Sequence, residues 1–125
     1  MNNIINIDYH SRESLYEQII NQIERYVALG ILKSGEQIPS TRELASSLGI
    51  NPNTVRKAYL ELENKNIINT ISTKGTFISD NIKEAINIKR NKLLEEVKEK
   101  INELEKLGMN KEDIIKKLWK KLLSY

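Results

Sequence analysis

The chain has no cysteine and a single histidine, His10, among its 125 residues. A disulfide framework and thiolate metal sites are thereby excluded, and a reducing compartment is compatible with this composition. A lone imidazole lacks the further ligands that a metal centre needs, so His10 reads as a surface or helix-start residue, and neither metal nor cofactor is expected. No apolar run approaches the roughly 18 residues of a membrane span, and no positive segment followed by an apolar core opens the chain. The expectation is a soluble, cytoplasmic protein without membrane contact. Catalytic signatures are missing too: there is no nucleophile elbow, Walker-type glycine loop, His/Cys cluster or Ca²⁺-loop spacing. The carboxylates lie on amphipathic faces with no sign of two converging in a cleft, so an enzyme is not expected.

A chain of this length holds one compact domain and an appendage. Its net charge of +3 is a modest bias and is unevenly placed. Residues 1–80 carry 8 Lys/Arg against 9 Asp/Glu, a net −1, whereas residues 81–125 carry 12 against 8, a net +4. Global charge therefore does not argue for a polyanionic partner; local placement has to.

The informative stretch is PSTRELASSLGINPNTVRKAYLELEN, Pro39 to Asn64. Ser40 followed three residues later by Glu43 is a capping box that starts a helix. Leu44, Ala45 and Leu48 fall on one face of it, and Gly49 supplies the left-handed conformation in which helices often end. Asn51 is then a preferred N-cap and Pro52 a preferred first helical residue, with Val55, Tyr59 and Leu62 recurring on one side. So tight a turn makes the helices cross steeply, held by Leu44, Ala45, Leu48, Ile50, Val55 and Tyr59: a helix-turn-helix. Left outward near the start of the second helix are Asn51, Asn53, Thr54, Arg56 and Lys57, none of them acidic. Uncharged hydrogen-bonders and cations at a helix N-terminus suit base edges and phosphates, and the helix dipole adds attraction for phosphate.

The run PSTRELASSLGINPNTVRKAYLELENKNII, followed by KGTFI, resembles the winged helix-turn-helix of GntR-type bacterial transcription regulators. Within them, NPNTV-x-x-AY-x-x-LE is similar to the small YtrA-like branch, and the likeness covers roughly Leu15 to Ser79. Asn66 stands where such proteins usually carry Gly, and the wing Ile71-Ser72-Thr73-Lys74-Gly75 is poorer in arginine and glycine than theirs. The resemblance implies that Asn53, Thr54, Arg56 and Asn51 enter the major groove, where Arg suits guanine and Asn suits adenine. Ser40, Thr41, Arg42 and Lys57 would hold phosphates, and Lys74, Gly75 and Thr76 would bring the wing to the backbone or minor groove. For Arg42 an ion pair with Glu43 or Glu36 stays open, as does pairing of Arg56 with Glu63 or Glu61. The lesser alternative for the wing glycine is an ordinary hairpin turn.

Around this motif the pattern is legible. An alternating Ile4, Ile5, Ile7, Tyr9 reads as an extended arm, with Asp8, Ser11 and Ser14 as competing N-caps. Leu15, Ile19, Ile23 and Val27 make a helical stripe ending at Gly30. Ile38 is expected to add a short strand to the hairpin formed by residues 67–71 and Thr76-Phe77-Ile78. From Asn81 a long helix runs through Leu93, Leu94, Val97, Ile101 and Leu104 to Gly108, and Asn110 caps a last helix bearing Ile115, Leu118, Trp119 and Leu122. This apolar stripe either docks on the winged module or, as favoured here, meets the same hairpin of a second chain. Trp119 more often fills such an interface than a ligand pocket, and Lys116, Lys117, Lys120 and Lys121 read as a solvated face.

The expected fold is mainly α with a small β wing: a winged helix-turn-helix DNA-binding domain over residues 1–80, then a C-terminal two-helix dimerisation hairpin over 81–125. The expected function is a sequence-specific transcription regulator, a homodimeric repressor on a palindromic double-stranded DNA operator, and by analogy with the YtrA-like branch one controlling transporter genes. The alternative is a winged protein-interaction module that no longer binds DNA. Nothing in the sequence names a small-molecule effector; a pocket between dimer helices stays open.

Overall fold

The computed structural model describes residues 5–124. Helix α1 (Leu15–Ala28) is followed by β1 (Gln37–Ile38), α2 (Thr41–Leu48), α3 (Pro52–Asn64), β2 (Ile68–Ile71), β3 (Gly75–Ile78), α4 (Ile82–Lys106) and α5 (Lys111–Leu123). This is the expected winged helix-turn-helix with a helical hairpin after it. The chain packs as two compact units, Met1–Asn87 and Ile88–Tyr125, and the division falls inside α4. Ile82, Ala85 and Ile86 explain where it falls, because the first turns of α4 bury them in the core of the first unit.

Ser14 wins the competition to cap α1, its side chain accepting from the Glu17 amide, while Ser11 accepts from Glu13 and Asp8 from His10. Ile19, Ile23, Leu32, Leu62, Ile67, Ile68 and Ile78 are wholly buried. Each such side chain contributes roughly 1.5 to 3 kcal/mol of burial free energy, so α1, α3 and the sheet are held by one shared apolar interior. Ile4 of the expected arm lies outside the described residues. The part that follows is fixed by two glutamines one helical turn apart. Gln22 exchanges hydrogen bonds with the Asn6 backbone at 2.9 and 2.6 Å. Gln18 accepts from the Asp8 amide and donates to the Asp8 and Glu13 carbonyls. Side-chain amides thus do for the Asn6 and Asp8 backbone what a neighbouring strand would do, beside an Ile5 that enters the core.

The sheet has the order β1-β3-β2, antiparallel throughout, with Ile38 opposite Thr76 and Ile71 opposite Gly75. The expected third strand is present. The wing turn carries Thr73 at φ 68°, and Gly75 takes φ 126° with its α-carbon pressed against Gln37: a Cβ there would lie 2.6 Å from the Gln37 amide nitrogen. Asn66, in the place of a familial glycine, sits at φ 60°, a region Asn tolerates better than other side chains.

Within the helix-turn-helix, the Tyr59 hydroxyl donates to the Pro39 carbonyl at 2.8 Å, tying α3 to the entry of α2. Burial, with the Glu43 carboxylate adding to it, pushes the Tyr59 phenol well above its ordinary value of 10.0. The neutral form is the one that folding selects, so its contribution is complete below pH 10 and is lost as pH rises above that, where the unfolded chain ionises first. Tyr59→Phe should lower unfolding free energy by about 1 to 2 kcal/mol in urea titrations at pH 7, since it strands a carbonyl. It should also lose stability less steeply than the wild type at alkaline pH.

Candidate nucleic-acid interface

Local chemistry sets the two helix starts. Ser40 accepts from the Glu43 amide at 3.1 Å while the Glu43 carboxylate accepts from the Ser40 amide at 3.2 Å, the complete capping box. Gly49, at φ 69°, ends α2 in the left-handed region. Asn51 then caps α3 by accepting from the Asn53 amide at 2.9 Å, and no acidic residue occupies the first turn. Pro52 brings no amide and those of Asn53 and Thr54 are taken by Asn51, so what this end of α3 offers an anion is the helix dipole, uncompensated by a carboxylate.

Between the start of α2, the outer face of α3 and the wing lies an open groove of about 770 Å³. Of the residues expected to contact DNA, it brings together Ser40, Thr41, Asn53, Arg56, Lys57, Gly75 and Thr76. Arg42, Asn51, Thr54 and Lys74 are not on its lining. Arg42 and Lys74 are exposed beyond its edges, Thr54 is half-buried, and the Asn51 carbonyl is committed to its cap. Thr76 is only 5% exposed, on the floor of the groove, because it stands in the central strand opposite Ile38.

The open alternatives for the arginines are resolved. Arg56 donates to the Asn53 side-chain oxygen instead of pairing with Glu61 or Glu63. Glu61 lies 3.9 Å from Lys65, and Glu63 accepts from the Thr70 hydroxyl of the wing at 2.5 Å. Arg42 forms no ion pair among the described residues: Glu43 is engaged in the capping box and Glu36 accepts from the Lys33 amide.

Several groove features escaped the sequence. Tyr16 of α1 lies under Lys57, its ring centroid 4.1 Å from the ammonium, so the cation is held against a quadrupole while remaining exposed. Leu60, Glu63, Thr70 and Ile71 line the groove between α3 and the wing. Helical spacing from the buried Val55, Tyr59 and Leu62 is the signal that could have set Leu60 on the outer side of α3, and only the wing's return shows what stands opposite it. Among the described residues, no three His, Cys, Asp or Glu side chains gather where they could hold a metal ion, and no helix is long and apolar enough to cross a membrane.

Two helices joined by a tight turn, the second free of acids at its start, and a β-hairpin beside them define a winged helix-turn-helix of the kind found in DNA-binding transcription regulators. The family model for bacterial regulatory proteins of the gntR family matches residues 15–78, and the chain belongs to that family, in its YtrA-like branch. It is 48% identical over 83 residues to the HTH-type transcriptional repressor YtrA of Bacillus subtilis, an alignment covering 66% of this chain and 64% of that protein, just under two thirds. It is 33% identical over 108 residues to the HTH-type transcriptional regulator YhcF of the same organism, covering 86% and 88% of the two chains. A solved transcriptional regulator from Oenococcus oeni superposes with a TM-score of 0.72 at 39% identity, covering 94% of this chain and 98% of that one.

The Glu63 carboxylate lines the groove between α3 and the wing, and a duplex phosphate brought there would be repelled by it. Glu63→Gln keeps an acceptor for Thr70 and removes the charge, so duplex affinity should rise about two- to fivefold at low salt, irrespective of sequence. The effect should shrink as added salt screens it, measured by fluorescence anisotropy across ionic strengths.

Proposed function

We propose that this regulator is a sequence-specific homodimeric repressor that reads a palindromic operator. The observation that carries the reading is the grouping of Asn53, Arg56 and Lys57 on one open face beside the wing. Asn53 and Arg56 meet base edges in the major groove, with Thr54 and the free amide of Asn51 at the flank. Ser40, Thr41, Arg42 and Lys57 contact phosphates and fix register. Lys74 and Gly75 bring the wing tip to the backbone or minor groove, with Thr76 supporting them from the groove floor. Residues 1–80 serve as the DNA-binding domain, its core completed by the first turns of α4, and the remainder of 81–125 serves as the dimerisation hairpin.

The hairpin supports a dimer through its exposed apolar surface. Within the second unit Ile114 is buried, whereas Leu93, Leu94, Val97, Leu104, Ile115, Leu118 and Leu122 are exposed and Trp119 is 63% exposed. A groove of about 520 Å³ between α4 and α5 is lined by Leu93, Val97, Ile101, Leu104 and Leu118. Surface of this extent is costly in water, and a second copy related by a two-fold axis covers both equally. Two-fold symmetry turns two copies of α3 toward half-sites about 34 Å apart, which makes the operator palindromic. Occluding a promoter needs no further surface, and the relative YtrA is named a repressor. Likeness to the YtrA-like branch points to transporter genes as the regulated class.

Two measurements test this. In mobility-shift titrations on the chain's own upstream region, Arg56→Ala and Asn53→Ala should each lower affinity for the preferred sequence about 10- to 100-fold while changing non-specific binding little. Unchanged affinity and preference would remove α3 from the role of reading helix. An absence of binding to any duplex would leave the protein-contact alternative. In sedimentation at micromolar concentration the wild type should run as a dimer and Trp119→Ala should shift toward monomer. A wild-type monomer, or a dimer indifferent to Trp119→Ala and to Leu118→Ala, would dismiss the hairpin as the seam.

A further inference from the structure

The outer stripe of α3 is not uniformly polar. Asn53, Lys57, Leu60 and Asn64 stand at spacings of four, three and four residues, which places them on one line of the helix. All four are exposed, and the stripe lies opposite Val55, Ala58, Tyr59 and Leu62, the buried side of α3. Leu60, 58% exposed, thus sits in mid-stripe on the face most directly opposed to the core. It also lines the groove shared with Asn53, Arg56 and Lys57.

A single exposed leucine on a protein surface calls for no explanation. Its place here does, because the proposed docking lays this stripe along the major groove, where Leu60 loses its water. Leucine has no donor or acceptor, so against the polar edges of most bases it would strip hydration and return nothing. The major-groove edge offers one apolar group, the C5 methyl of thymine.

We infer that Leu60 is a specificity-determining residue that reads a thymine methyl. The inference rests on α3 being the reading helix. Asn53 and Leu60 are seven residues apart, about 10 Å along an α-helix. The base step of about 3.4 Å runs along the duplex axis and a helix in the groove lies oblique to it, so the methyl lies about two to three base pairs from the pair facing Asn53. Arg56 and Asn53 therefore account for hydrogen-bonded positions in each half-site, and Leu60 for a position at which no hydrogen bond is made. Its discrimination is of thymine against cytosine, whose edge lacks the methyl and presents an amino donor that leucine cannot satisfy.

Deoxyuridine tests this directly, since it differs from thymidine by that methyl alone and keeps every hydrogen bond. The full chain is used to select preferred duplexes from a random-sequence pool, and the best of them is remade with deoxyuridine at each thymine in turn. One position per half-site should lose about fourfold in affinity, the weight of a single buried methyl group. Leu60→Ala should bind the thymine and uracil duplexes alike, and no better than the wild type binds the uracil duplex. Its thermal midpoint should match the wild type, because the side chain is outside the core. A flat deoxyuridine scan overturns the inference, as does a penalty that persists in Leu60→Ala or a selected consensus without thymine in each half-site. If no sequence is enriched, or if Arg56→Ala leaves the selected binding intact, the reading-helix assignment itself fails. Enriched, Arg56-dependent binding with a flat scan leaves that assignment standing and dismisses only the role of Leu60.

Discussion

The turn between α2 and α3 is the constraint from which the recognition surface follows. Gly49 adopts φ 69°, its amide still bonded to the carbonyls of Ala45 and Ser46, and the Ile50 amide returns to Ala45. Asn51 then caps the next helix at once. A side chain at position 49 would carry the Cβ penalty of the left-handed region, and a longer connection would let the two helices swing. With the turn fixed, Leu44, Ala45, Val55 and Tyr59 can be buried together, and the polar stripe of α3 has one direction left to face.

Electrostatic attraction in this module is local. Residues 1–80 carry a net −1, yet the first turn of α3 is free of acids and Arg56 and Lys57 follow it. Two acids of the region are engaged away from that turn, Glu43 in a capping box and Glu61 beside Lys65, while Glu63, bonded to the wing threonine Thr70, is the acid that stays on the groove lining. Arg56 and Lys57 are each held by a neighbour, Asn53 and Tyr16 respectively, which limits the rotamer entropy that ordering them on a ligand would cost. The groove they share also has apolar lining in Leu60 and Ile71, so contacts of shape and methyl groups are available beside those of charge.

The hairpin follows a different logic. Its helices carry capping and charge pairing typical of exposed helices: Asn110 caps α5, Lys100 lies 3.1 Å from Glu103, and Lys111 lies 3.9 Å from Glu105. Such pairs contribute only a few tenths of a kcal/mol each. The apolar stripes of Leu93, Val97 and Leu118 are where the larger free energy resides, and it is realised only when something covers them.

Sequence by itself determined what is encoded within one or two helical turns. The capping box at Ser40, the caps at Asn51 and Asn110 and the terminators Gly49 and Gly108 are contacts between near neighbours, so spacing alone reveals them. Buried stripes such as Ile19, Ile23 and Val27 show in the same way, because helical period sorts residues onto faces. Only the tertiary structure decided which distant groups meet. The glutamine clasp on the N-terminal arm, the pressing of Gln37 against Gly75, the seat of Lys57 on Tyr16 and the sinking of Thr76 into the groove floor all join residues far apart in the chain. Their physical origin is packing of the whole module, where a side chain's partner is set by how helices and sheet close on one core, and no local period records that closure.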